Sequence, residues 1–140
     1  MKNSAGLSLM ILGAILCGCG GASDAPQMAE VEGTVTWQGK PLTNAGVAFT
    51  PTSGPVAIGQ TDATGHFSLS TQGRPGAAIG VHQVTIQAFE PLPAGTVIDS
   101  DNPPKLISRI PAKYGELANS GLGADVTADA AENKIDFDLK

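Results

Sequence analysis

The chain has 140 residues, 13 acidic and 8 basic, for a formal charge of −5; aromatic residues make up 4 % and cysteines number 2. That length holds one domain, and an acidic balance without a Lys/Arg cluster excludes the basic stripe that nucleic-acid phosphates require. Two cysteines exclude a disulfide framework, and no Cys-rich or His-rich segment offers the remaining ligands of a zinc site.

Lys2 supplies a positive charge, and Leu7 to Leu16 then runs uncharged as Leu-Ser-Leu-Met-Ile-Leu-Gly-Ala-Ile-Leu. These are the n-region and h-region of an export signal, too short to span a bilayer as a helix, which takes about 20 apolar residues. The run ends on Leu16-Cys17-Gly18-Cys19, which resembles the bacterial lipobox: a Leu, two small residues and an obligatory Cys. The resemblance implies that residues 1–18 are removed as a signal peptide, that the Cys19 thiol carries a diacylglyceryl group, and that its new amino terminus is acylated. Cys17 fits that frame worse, since Leu16 would then stand where Gly or Ala belongs, and it leaves with the signal. A plain export signal with an incidental Cys19 is the competing reading. The lipid reading places the protein in the cell envelope, membrane-anchored and facing the periplasm or the cell surface. Residues 19–29 lack periodicity and read as a flexible tether.

From Glu30 onward the apolar pattern has period two. Val31, Gly33, Val35 and Trp37 share one face, and Glu32, Thr34 and Thr36 the other; Gln38-Gly39-Lys40-Pro41 then turns the chain. Val47 and Phe49 share a face in the next run, which Pro51 ends, and Val56 and Ile58 mark another. Asp62-Ala63-Thr64-Gly65 follows as a turn whose glycine supplies a positive φ, with Asp62 accepting backbone N–H bonds and Phe67 and Leu69 on the return strand. Val84, Ile86 and Ala88 make a further strand, and Val126, Ile135, Phe137 and Leu139 supply the last ones. Abundant Gly and Pro, few aromatics and frequent Thr and Val agree with short strands joined by turns. Only Pro111–Leu117 has room for a helical turn.

The stretch from Pro91 to Gly123 is the least regular. It holds five prolines, Tyr114 and a positive grouping of Lys105, Arg109 and Lys113, which together form the candidate partner surface. A connection of this length is either functional or a cover for a sheet edge. Within it, Asp99-Ser100-Asp101-Asn102 alternates oxygen ligands as calcium loops do, but Pro103 and Pro104 follow at once and no bidentate Glu stands at loop spacing. The two histidines diverge by strand parity: His66 lies opposite Phe67, hence outward, while His82 shares the parity of Val84 and Ile86, hence inward or at the sandwich rim. No Gly-x-Ser-x-Gly elbow exposes a nucleophile.

Residues 31–51, VEGTVTWQGKPLTNAGVAFTP, followed by GQTDATGHFSLST, resemble the carboxypeptidase regulatory-like domain. With the lipobox, the late IPAKYGELANSGL and the closing NKIDFDL, the chain is similar to small lipoproteins of planctomycetes. The resemblance covers residues 30–140. It implies an all-β fold, an antiparallel seven-stranded Greek-key sandwich of the transthyretin (prealbumin) type, and it brings no catalytic residues. His82 stands where that family usually carries the Tyr of a Gly-x-Tyr. The expected protein is a non-catalytic, lipid-anchored envelope module without a cofactor. Its expected partners are the membrane, through the lipid, and an envelope protein or polysaccharide. The alternative is a calcium-dependent binder or an enzyme with its site in 91–123.

Overall fold

The computed structural model describes residues 25–140. The expected signal peptide 1–18, the lipidation residue Cys19 and the tether as far as residue 24 lie outside the described residues. Among the described residues, no helix is long and apolar enough to cross a membrane.

The protein is an all-β sandwich. In chain order its strands are β1 (Met28–Ala29), β2 (Glu32–Trp37), β3 (Lys40–Pro41), β4 (Ala45–Pro51), β5 (Ala57–Gln60), β6 (His66–Ser68), β7 (Ser70–Thr71), β8 (Arg74–Pro75), β9 (Ala77–Ala78), β10 (Gly80–Ala88), β11 (Leu122–Val126) and β12 (Phe137–Leu139). These segments are shorter and more numerous than the seven strands expected. The larger sheet has the order β11-β10-β4-β5-β7-β8; the smaller has β12-β2-β3, with β6 also paired to β2, and β1 pairs with β9 alone. β1 occupies the last two residues of the expected tether, with Ala29 buried.

Alternation builds the core. Val31, Val35, Val47, Phe49, Val84, Ile86 and Leu139 are all at most 2 % exposed. Phe49 of the larger sheet meets Phe67 and Phe137 of the smaller one at ring-centroid distances of 6.3 and 6.0 Å, and Phe67 stacks on Phe137 at 6.3 Å. This trio joins the two layers, and burying such rings contributes the largest apolar terms available to a domain poor in aromatics. Gly33 lets the segment leading into β12 pass close over β2: a Cβ there would overlap the Ile135 carbonyl.

Three features depart from the pattern read in sequence. In β5 it is Ala57 that is buried, while Ile58 is 60 % and Val56 42 % exposed. The turn Asp62–Gly65 forms as expected, with Asp62 Oδ1 accepting from the Thr64 and His66 backbone N–H groups at 2.8 and 3.0 Å. It does not, however, join partners in one ladder. β5 belongs to the larger sheet and β6 to the smaller, and the chain crosses back at Leu69, because Ile58 pairs with Ser70 of β7. Last, β12 runs parallel to β2, with Phe137 opposite Val35 and Leu139 opposite Trp37.

The irregular stretch divides in two. Residues 108–115 dock on the sandwich: the Arg109 N–H donates to the Ala88 carbonyl at 2.8 Å, Ile110 and Tyr114 are buried, and a 3-10 turn, Ala112–Gly115, takes the place of the helical turn. Residues 91–106 form an excursion without strands, whose Val97 and Ile98 are 81 % and 76 % exposed.

Candidate functional site

The site begins with a two-residue turn. Gln38 and Gly39 have φ of 51° and 77°, the paired positive values that a type I′ hairpin needs. That turn sets Trp37 directly opposite Lys40 across β2 and β3, so the indole and the ammonium stem are cross-strand neighbours. Trp37 lies on the inward face of β2 but at its end, where the sandwich opens, and it is half-buried.

Segment 108–110 supplies the opposite wall. The Ser108 hydroxyl donates to the Ile110 carbonyl at 2.6 Å, and Arg109 Nη1 donates to the Thr43 carbonyl at 2.7 Å. One edge of the guanidinium is thereby pinned, and its other N–H groups make no hydrogen bond among the described residues. Trp37, Gln38, Lys40, Pro41, Leu42 and Arg109 line a cleft of about 320 Å³. That is near the lower end of the roughly 300–1,000 Å³ usual for ligand clefts.

The 3-10 turn completes the surroundings. Tyr114 meets Trp37 edge-on, with ring centroids 6.5 Å apart at 75°, and Lys113 Nζ lies 4.8 Å from the Tyr114 ring centroid. The Tyr114 hydroxyl donates to the Lys140 carbonyl at 2.8 Å and accepts from the Lys140 N–H at 3.2 Å. Buried and doubly bonded, Tyr114 supports Trp37 and leaves the contact with a partner to other side chains. Of the four residues expected to form the partner surface, Arg109 lines the cleft, Tyr114 packs on Trp37 behind it and Lys113 lies over the Tyr114 ring. Lys105 sits exposed in the excursion and does not line the cleft. Trp37 and Lys40 were not among those four. The signal for them was the chain's single tryptophan, set beside a Gln-Gly turn and followed at once by a lysine.

The charged residues that line the cleft are Lys40 and Arg109. Among the described residues, Glu32 takes Lys134 at 3.6 Å and His66 at 3.4 Å. Like Arg74, Lys105, Lys113 and Lys140, Lys40 and Arg109 have no carboxylate within 4.0 Å among the described residues, and no acidic residue is among those lining the cleft. In a chain of net charge −5, a cleft lined by two cations and no carboxylate is a local reversal of sign. A second, larger concavity of about 440 Å³ is lined by Glu30, Val31, Glu32, Leu69, Pro75 and Ala131 among others. Its Glu32 is already paired and it has no aromatic wall.

The histidines do not meet. His66, on β6 of the smaller sheet, faces Glu32 at the surface. His82, on β10 of the larger sheet, is 2 % exposed; its ring lies 5.8 Å from Phe49 and its Nδ1 donates to the Gly80 carbonyl at 2.9 Å. The ring's Nε2 is buried and has no hydrogen-bond partner among the described residues. In the Asp99–Asn102 segment, Asp99 Oδ1 accepts from the Asp101 N–H at 3.0 Å and the Asp99 carbonyl from the Asn102 N–H at 3.2 Å, a local Asx turn. Among the described residues, no group of three His, Cys, Asp or Glu side chains is placed to hold a metal ion.

Comparison of the chain with protein-family models, with curated proteins and with solved structures returns no match.

Proposed function

We propose that this chain is a non-catalytic, lipid-anchored module of the cell envelope, a carboxypeptidase regulatory-like sandwich that presents a binding cleft to an envelope polymer or protein. The observation that carries the binding half of this reading is the Trp37 cleft, which Lys40 and Arg109 line together with the indole and no carboxylate. Support for the anchoring half comes from the sequence Leu16-Cys17-Gly18-Cys19 behind an uncharged run. Each buried methylene of an acyl chain contributes about 0.8 kcal/mol and one chain anchors only marginally, so the several chains of a bacterial lipoprotein hold firmly.

The test is a detergent phase split of cells expressing the full chain. Wild-type protein is expected in the detergent phase and to resist high-salt washing, while Cys19→Ser is expected in the aqueous phase or retained uncleaved. Wild-type protein in the aqueous phase would overturn the anchor. Crosslinking of intact envelope then identifies what the module touches.

A further inference from the structure

We propose that the Trp37 cleft binds a carboxylate-bearing pyranose unit of an acidic glycan, an inference that rests on the envelope-module reading and names its ligand class. Four features lead there. The half-buried indole of Trp37 is one wall, and a flat aromatic surface matches the apolar C–H face of a sugar ring. Lys40 is fixed opposite it by the β2–β3 register. Arg109 is held by its bond to the Thr43 carbonyl, and a guanidinium oriented in this way presents its remaining N–H groups as a fork that suits a carboxylate. Lys113 lies over the Tyr114 ring, which packs edge-on against Trp37, so its charge stands behind the aromatic wall.

The same features argue against other anions. A bare phosphate or sulfate would use the cations and leave the indole without a role. A nucleic acid would need a basic stripe, and the chain's charge is −5. A membrane surface would have to enter a concave site walled by the β2–β3 turn and segment 108–110, whereas one projecting sugar fits it. The absence of a lining carboxylate removes the group that would repel the ligand.

Trp37 is the only tryptophan, so its fluorescence reports this cleft alone. The acylated chain in detergent is titrated with polygalacturonate, with neutral galactan and inorganic polyphosphate as comparison arms, and with anionic lipid vesicles as a fourth. The expected result is a saturable change with polygalacturonate that weakens as salt is raised, and none with galactan. Lys40→Gln and Arg109→Gln should each weaken binding about tenfold at unchanged melting temperature. Should Arg109→Gln disturb the fold through the lost Thr43 bond, the exposed Lys40→Gln carries the test. Trp37→Ala should lose retardation in a polygalacturonate gel. An equal response to polyphosphate, a response to vesicles alone, or retardation that survives Trp37→Ala would each overturn the proposal. Failure here with intact detergent partition leaves the anchored module standing. Loss of detergent partition with glycan binding retained removes the anchor and keeps the site.

Discussion

Asn133 is fully buried and every amide hydrogen-bonding group it offers is used. Its Oδ1 accepts from the Thr127 N–H at 2.9 Å and the Thr127 hydroxyl at 3.3 Å; its Nδ2 donates to the Glu30 carbonyl at 3.1 Å and the Thr127 carbonyl at 2.9 Å. The side chain therefore ties the approach to β12 to the entry of β2. Asn133→Ala should destabilise by about 2–4 kcal/mol in denaturant melts, since buried partners on both sides lose their bonds. Asn133→Asp should cost at least as much at neutral pH, because a carboxylate would then face two carbonyl oxygens. Asp62 acts differently, at the surface. The Thr64 hydroxyl, donating at 2.7 Å, is the main reason its carboxyl titrates below the usual 3.8, with the Thr64 and His66 N–H groups adding to it against a small opposing desolvation. A lowered folded value means the stabilisation is fully present above the unfolded value and disappears as pH falls through the folded one. Stability measured from about pH 5 downward should therefore decline less steeply in Asp62→Asn than in wild type.

At the scale of elements, β12 carries the clearest test. Phe137 and Leu139 are buried, while Asp136 and Asp138 lie outside, where they accept from Thr34 and Thr36. Phe137→Ala removes one ring of the aromatic trio and should cost about 3–5 kcal/mol. Asp138→Asn keeps an oxygen for the Thr36 hydroxyl and should stay within about 0.5 kcal/mol. Similar small effects for both would contradict the pairing of β12 with β2. This burial was legible in the sequence because alternation sets which side chains face inward; the same parity left His82 inward or at the rim, and the structure buries it. Strand direction and sheet membership were not legible. The parallel run of β12 beside β2 depends on partners about a hundred residues apart in the chain, as in the bond joining Thr34 to Asp136 at a separation of 102. The exposure of Val56 and Ile58 followed from the same gap: apolar identity suggested an inward face, but the pairing of β5 with β4 turns Ala57 to the core instead. Gln72 and Gly73 repeat the Gln38-Gly39 turn, with φ of 50° and 80°, between β7 and β8. The shared dipeptide was the available signal for it.

For the molecule as a whole, the contrast is between the sandwich and its excursion. The neck is a short antiparallel contact: the Glu90 N–H donates to the Ile107 carbonyl, the Arg109 N–H to the Ala88 carbonyl, and Phe89 bridges Ser108. Since the core ends at this neck, replacing residues 93–105 with a short glycine turn should move the melting midpoint by no more than about 4 °C, the order of shift that 1 kcal/mol makes in a domain of this size. A larger loss would mean that the excursion packs on the sandwich. The candidate site was half legible: the sequence carried Arg109, but its meeting with Trp37 required segment 108–110 to fold back on β10, which no local pattern encodes. The pairing of β12 with β2 also governs timing. A chain made from its amino terminus presents β2 early, yet β2 lacks its third neighbour until residues 137–139 have been made. Until then Val35 and Phe67 lack the cover of Phe137, so the smaller sheet is completed last, through a non-local pairing of the kind that slows folding.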